Sequence, residues 1–252
     1  MVAVASPRPV MGLRPYQIVS PPYAHFCGGI RALYRLAEEL QARGVPAQIL
    51  GSYNPEAITV YPEIVTDNPY GSARVVRWLL NRADVPDDGL KFAWADGMDA
   101  PLLTVDIIEP DLFYPRTGPR NGTAFWVHKG NMASRFVPSG SRQITHGWPA
   151  TRPELAELLG SIDYLISFDP FTAMVPEALL CGTPVLIPTQ GAWTRAEIES
   201  HGWVPYGVAW SLDELNQARA TVHLAFDHYQ NMRREFARRI DAFIDSTQTY
   251  WE

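Results

Sequence analysis

The sequence predicts an α/β protein made of two Rossmann-like domains facing a cleft. Three observations carry that prediction. Short apolar runs of strand length alternate with helical stretches, the pattern of βαβ units and hence of parallel sheets. The alternation occurs twice, in series of about 110–130 residues each, a usual domain size. Between the two series, residues 109–123, "EPDLFYPRTGPRNGT", are rich in proline, glycine and charge and read as a linker. We therefore expect a tail over 1–15, an N-terminal domain over 16–115 and a C-terminal domain over 116–252.

The tail "MVAVASPRPVMGLRP" has prolines and arginines where a signal peptide needs an unbroken apolar stretch. "YQIVS" (16–20) is a short apolar run ending in the loop "PPYAHFCGG", as a buried strand does. In "GGIRALYRLAEELQARG", Ile30, Leu33, Tyr34, Ala37 and Leu40 repeat at helical spacing, and Gly44 is a natural C-terminal stop. "AQIL" (47–50) reads as the second strand of this unit. "AITVY" and "LKFAWA" read as further strands, "SARVVRWLLNRA" (72–83) as a helix between them, and "APLLTVD" as another strand.

Beyond the linker, "TAFWVHKG", "RQITH", "DYLISF" and "TPVLIP" are short apolar runs separated by helical stretches. Three of those stretches open with a hydroxyl followed three residues later by glutamate, the capping-box spacing: Thr151/Glu154, Thr194/Glu197 and Ser211/Glu214. The last helical stretch is long, with Tyr229, Met232, Phe236, Ile240 and Phe243 on one stripe. No repeat of fixed period and no low-complexity tract interrupts the chain.

Bulk properties narrow the function. Hydrophobic residues make up 46% of the 252 and charged residues 19%, a globular composition. The net charge of −6 supplies no global basic field for a phosphate backbone, which weighs against nucleic acid as the main partner. Cys27 and Cys181 form neither a disulfide framework nor a zinc spacing, so a reducing cytoplasm is the expected location. No run approaches the ~20 apolar residues that span a bilayer. The six histidines show no metal-ligand spacing, and neither a G-x-S-x-G elbow nor a P-loop is present.

The segment "FDPFTAMVPEALLCGTPV" (168–185) carries the most chemistry. Asp169 follows the strand "DYLISF", where binding loops sit. Pro176 is tolerated only in a helix's first turn, so the helix starts near Thr172–Ala173 with Glu177 in its opening turns. The free N–H groups of such a helix favour an anion, and flanking carboxylates accept hydrogen bonds from hydroxyls. A diphosphate flanked by sugar rings fits that pattern.

This segment resembles the signature of group-one retaining glycosyltransferases of the GT-B fold, an acid, seven residues, Glu-Ala, a small-residue turn and Gly-Thr-Pro-Val. Aspartate stands here where the family more often has glutamate. The resemblance implies that Glu177 binds the nucleotide ribose, that Asp169 binds the transferred sugar, and that the backbone at Phe171, Thr172 and Ala173 approaches the diphosphate. It is strongest over 124–190 and weaker over 16–50. The chain is shorter than most members, which implies a reduced N-terminal domain.

By the same resemblance Lys129, in "FWVHKGNMASRF", neutralises the leaving diphosphate, with Arg135 as a second cation. The family's usual Gly-Arg is absent at this strand end. His146 and Gly147, with Trp148, fall where the nucleotide base packs. Gly28 and Gly29 match the family's Gly-Gly loop beside the donor phosphates, and His25, Glu63, Asn68 and Tyr70 are acceptor-side candidates. Arg233, Arg234, Arg238 and Arg239 flank the apolar stripe of the last helix; a solvated face and contact with an anionic membrane surface are the two readings.

The resemblance implies a metal-independent enzyme without cofactor. It moves a sugar from a nucleoside-diphosphate donor to a glycan, lipid-linked or other hydroxyl acceptor, in cell-surface glycan or glycolipid synthesis, in the cytoplasm or at the inner membrane face. Three alternatives stand beside it: a glycosyltransferase modifying a hydroxylated base in phage DNA, a non-catalytic nucleotide-sugar-binding partner subunit and, third, a nucleotide-sugar epimerase of similar fold.

Overall fold

The β-branched and aromatic runs of the first hundred residues pair in parallel as one sheet, in a computed structural model that describes residues 12–188 and 192–252. Most of the anticipated tail, residues 1–11, lies outside the described residues. The chain divides into two units: one runs to Ile107 and regains Arg234–Glu252, the other is Ile108–Arg233.

In the first unit, β1 (Tyr16–Ile18), β2 (Ala47–Ile49), β3 (Ile58–Pro62), β4 (Val75–Leu79) and β5 (Leu90–Ala93) lie in the order β2-β1-β3-β4-β5, all parallel. Helix α1 (Gly28–Ala42) links β1 to β2 and buries Leu33, Leu36, Ala37 and Leu40. It stops at Gly44, whose φ of 77° puts it in the left-handed region and whose N–H bonds the Gln41 carbonyl at 2.9 Å.

The stretch 72–83 is not a helix. Its centre is β4, every residue of which is buried between β3 and β5. A strand covered on both faces reads as a continuous apolar run and loses the alternation that distinguishes it from a helix. "APLLTVD" is not a strand either; it makes one parallel bridge, Leu102 to Ala93. Arg77, fully buried on β4, bonds Asp88 Oδ1 at 2.9 Å and Oδ2 at 2.6 Å. It also bonds the Val65 and Asp67 carbonyls at 2.7 and 2.9 Å, pinning the loop after β3. The bidentate pair holds the Asp88 carboxyl below the usual carboxylate range.

In the second unit, β6 (Thr123–Trp126), β7 (Arg142–Ile144), β8 (Tyr164–Ser167), β9 (Val185–Leu186) and β10 (Val208–Ala209) lie in the order β10-β9-β8-β6-β7, again all parallel. Numbered within its own unit, each sheet has strand order 2-1-3-4-5. The unit's helices are α2 (Arg152–Ser161), α3 (Met174–Leu180), α4 (Arg195–Ser200) and α5 (Leu215–Thr221). The capping boxes at Thr151/Glu154 and Thr194/Glu197 are formed. The third is not: Ser211 makes no side-chain cap, and Glu214 Oε2 instead accepts the Trp210 N–H at 3.1 Å.

The division differs from the sequence boundaries at the C-terminus. Helix α6 (Ala225–Tyr250) starts in the second unit, but from Arg234 it belongs to the first. Its stripe explains this. Phe243 packs on Tyr16 and Phe92 with centroids 5.5 and 4.9 Å away, and Thr247 shares a 2.5 Å hydrogen bond with the Tyr16 hydroxyl. Of the four arginines, Arg239 bonds Thr104 Oγ1 at 2.7 Å and Arg238 pairs with Glu235 at 2.6 Å.

Candidate functional site

In an open parallel sheet, ligands bind beyond the carboxyl ends of the strands where the strand order reverses. For the order 2-1-3-4-5 that point lies between the first and third strands, here β6 and β8. The loops leaving these two strands meet there.

After Trp126 ends β6, the chain turns through Val127, His128 and Lys129 to Gly130, whose N–H bonds the Val127 carbonyl at 2.7 Å. His128 has φ of 43°, a left-handed conformation that costs a non-glycine residue of order 1–3 kcal/mol. Gly130 lies so close to the end of β8 that a Cβ would sit 1.9 Å from the Phe168 carbonyl oxygen, so only glycine fits.

From β8 comes Asp169, whose side chain is 7% exposed. Its Oδ1 accepts the Phe171 N–H at 3.1 Å, and its carbonyl accepts the Ser167 hydroxyl at 2.7 Å, which fix the loop. Its Oδ2 is 2.7 Å from His128 Nδ1. His128 lies parallel to the Trp126 ring at 5.2 Å and 13°, and His146, from the loop after β7, stands edge-on to both at 5.2 and 5.3 Å. Trp126 is buried, and its indole N–H has no hydrogen-bond partner. Burial, and after it the neighbouring His128, push the His146 imidazole below the usual histidine range. Thus Trp126, His128, His146 and Asp169, from three adjacent strand ends, form one cluster.

Glu177 is not part of that cluster. Its side chain is only 2% exposed, and Oε1 receives Arg152 Nη1 at 2.8 Å. Arg152, 10% exposed at the start of α2, also bonds Glu109 Oε2 at 2.6 Å and lies 4.4 Å over the Phe113 ring. Burial pulls the guanidinium down, but Glu177 and Glu109 more than offset this and hold its proton above the usual range. In this arrangement the Glu177 carboxylate ties α3 to α2. All seven residues of α3 are buried, so an acid in its first turn faces protein.

The other anticipated residues are placed as follows. Phe171, Thr172 and Ala173 are half-buried on the loop into α3, with Phe171 stacked on Trp193 at 4.4 Å. Lys129 and Arg135 are exposed on the segment after β6, with Arg135 over the Phe136 ring at 4.8 Å. Gly147 and Trp148 are exposed beside His146.

The first unit holds the rest. Gly28 and Gly29 open α1, and a Cβ on Gly29 would meet only Leu80 Cδ1 at an ordinary 3.5 Å. His25 packs on Phe26 at 4.4 Å. Glu63 Oε2 accepts the Leu80 N–H at 3.1 Å. Asn68 is a loop organiser: its Oδ1 accepts from the Tyr61 hydroxyl at 2.8 Å and from the Ser72 N–H at 2.9 Å. Tyr70 is exposed and stacked on Tyr53 at 5.8 Å.

Sequence reasoning missed His128, Trp126 and Arg152. The first two sit in the quoted run "FWVHKG", ahead of Gly130, and nothing in that run marks them. Among the described residues no three His, Cys, Asp or Glu side chains are placed to hold one metal ion, and no described helix is long and apolar enough to cross a membrane.

No protein-family model matches the chain, and no curated protein matches it. Among solved structures, the chain is similar to the glycosyltransferase SnogD from Streptomyces nogalater at 14% identity and TM-score 0.45, covering 93% of this chain and 100% of that one. It is similar to the glycotransferase of kitacinnamycin at 13% identity and TM-score 0.47, covering 95% and 98%. It is also similar to CalG4, the calicheamicin glycosyltransferase, at 12% identity and TM-score 0.42, with the same 95% and 98% coverage.

Proposed function

We propose that the chain is a retaining glycosyltransferase of the GT-B type that transfers a sugar from a nucleoside-diphosphate donor to a hydroxyl acceptor. The observation that carries this reading is the cluster at the switch point of the second sheet, built on the segment whose sequence resembles the group-one signature. That segment is folded as strand β8, the Asp169 loop, helix α3, a turn at Gly182 and strand β9.

In this reading the donor lies along the carboxyl edge of the second sheet. The backbone of 171–173 approaches the diphosphate, and the exposed Lys129 and Arg135 add positive charge. His146, Gly147 and Trp148 offer a rim for the base. Catalysis is then mostly positioning and stabilisation of charge on the departing diphosphate, with the leaving phosphate helping to take the acceptor's proton. The acceptor, a glycan, lipid-linked or other alcohol, is assigned on sequence resemblance to the first unit, where Tyr70 is exposed.

Glu177 drops out of the donor contacts and becomes the anchor of α3, and this is where the chain departs from the pattern that it resembles. A thermal-shift screen of nucleoside diphosphates and their sugars, followed by assay of donor hydrolysis, tests the reading. A midpoint raised by one base only, with slow donor hydrolysis, is the expected result; no ligand-dependent shift across the panel refutes it.

A further inference from the structure

We infer that His128 is the group that presents positive charge to the donor's diphosphate, and that Asp169 positions it instead of gripping sugar hydroxyls itself. The inference rests on the glycosyltransferase reading above and assigns the chemistry of that same site.

Accessibility separates the two residues. Asp169 is 7% exposed, and each of its carboxylate oxygens already has a partner, His128 Nδ1 and the Phe171 N–H. The His128 side chain is 24% exposed, so a ligand arriving at the sheet edge meets the imidazole before the carboxylate. With Nδ1 held at 2.7 Å by Asp169, Nε2 is the nitrogen that remains for a ligand.

The ring is also unusually well fixed. It rests parallel on Trp126, its backbone sits at φ of 43°, and the close approach of Gly130 to the Phe168 carbonyl locks the two loops together. Strain retained at a sheet switch point, around a residue oriented by a buried carboxylate, is what a site demanding a fixed imidazole requires. The indole N–H of Trp126 beside it is buried without a hydrogen-bond partner.

Protonated, His128 offers an N–H from Nε2 to a phosphate oxygen; neutral, that nitrogen is only an acceptor. Three groups face or adjoin the ring. The Asp169 carboxylate attracts its positive form, while His146, when charged, and Lys129 on the same loop repel it. No proton need leave His128 during transfer: it holds the diphosphate as the sugar–oxygen bond breaks and the electron pair settles on the phosphate.

Binding of UDP-, dTDP-, GDP- and ADP-glucose, and of the matching nucleoside diphosphates, is measured by calorimetry on the full chain. His128→Gln binds the preferred sugar nucleotide about 10- to 100-fold more weakly than wild type, and His128→Arg stays tight. Asp169→Asn weakens the diphosphate with and without its sugar equally.

Unfolding midpoints of each variant establish that it is folded, and the arginine variant keeps the test decisive if the glutamine variant is not. Wild-type affinity retained by His128→Gln, or a loss in Asp169→Asn confined to the sugar-bearing ligands, overturns the inference and leaves the glycosyltransferase reading intact. Failure of every nucleotide to bind removes both.

Discussion

Replacing Glu177 by alanine distinguishes an anchoring acid from a ribose ligand. In the native chain its carboxylate and the Arg152 guanidinium are 2.8 Å apart with side chains 2% and 10% exposed, so neither charge is compensated by water. Removing one partner of a buried pair costs about 3–5 kcal/mol, because the other charge remains buried. Here Glu109 still holds Arg152 Nη2 at 2.6 Å and Phe113 still lies against the guanidinium, so the loss should fall at the lower end, about 3 kcal/mol. For a chain of this size that lowers the unfolding midpoint by roughly 6–12 °C. Glu109 is half-exposed, and Glu109→Ala should cost no more than about 1 kcal/mol. Replacing both partners, Arg152→Met with Glu177→Leu, should be close to neutral, since no charge is then stranded. Urea unfolding followed by tryptophan fluorescence measures all four proteins. If Glu177→Ala is as stable as Glu109→Ala but loses donor affinity, the anchoring account is wrong and the ribose contact is restored.

Three further outcomes follow from the same contacts. Gly130→Ala forces its Cβ against the Phe168 carbonyl, should cost about 1–3 kcal/mol in urea unfolding, and should separate His128 from Asp169; a variant as stable as wild type contradicts the close approach. His146 is exposed at the surface, so its depressed imidazole contributes little: the unfolded chain takes up that proton first as pH falls, and stability is full above about pH 6.5 and declines slightly below it. His146→Asn should remove that small decline in a pH series of urea midpoints, and an unchanged slope would contradict the assignment. Burial pushes the Cys181 thiol up to about 12, so a thiol reagent at neutral pH should label Cys27 in the native protein and reach Cys181 only on unfolding; mass mapping of equal labelling would contradict this.

The sequence was legible where local chemistry decides structure. Both formed capping boxes were readable from a hydroxyl and a glutamate three residues apart, and α1 from its apolar spacing and terminal Gly44. The third box failed because Glu214 turned to the Trp210 amide, a choice between two nearby partners that spacing does not encode. Strand β4 was misread because a strand buried on both faces and a buried helix share one pattern, and because the Arg77 in its middle is accepted only through Asp88 and two loop carbonyls distant in sequence.

The site divides in the same way. Asp169 at a strand's carboxyl end was readable from "DYLISFDP", since strand and proline bracket it. Its partner was not: His128 lies 41 residues earlier and is brought close only because β6 and β8 are neighbours in the sheet. Glu177 shows the converse. Its spacing from Asp169 was plain, but which way it points depends on Arg152 across α2, 25 residues away.

The most direct test of the central claim is calorimetric titration of sugar nucleotides into the full chain, repeated with Asp169→Asn. The account predicts one preferred base, bound by wild type and about 10-fold or more weakly by the variant. Equal binding by the two proteins, or no binding to either, would contradict a donor site at the edge of the second sheet.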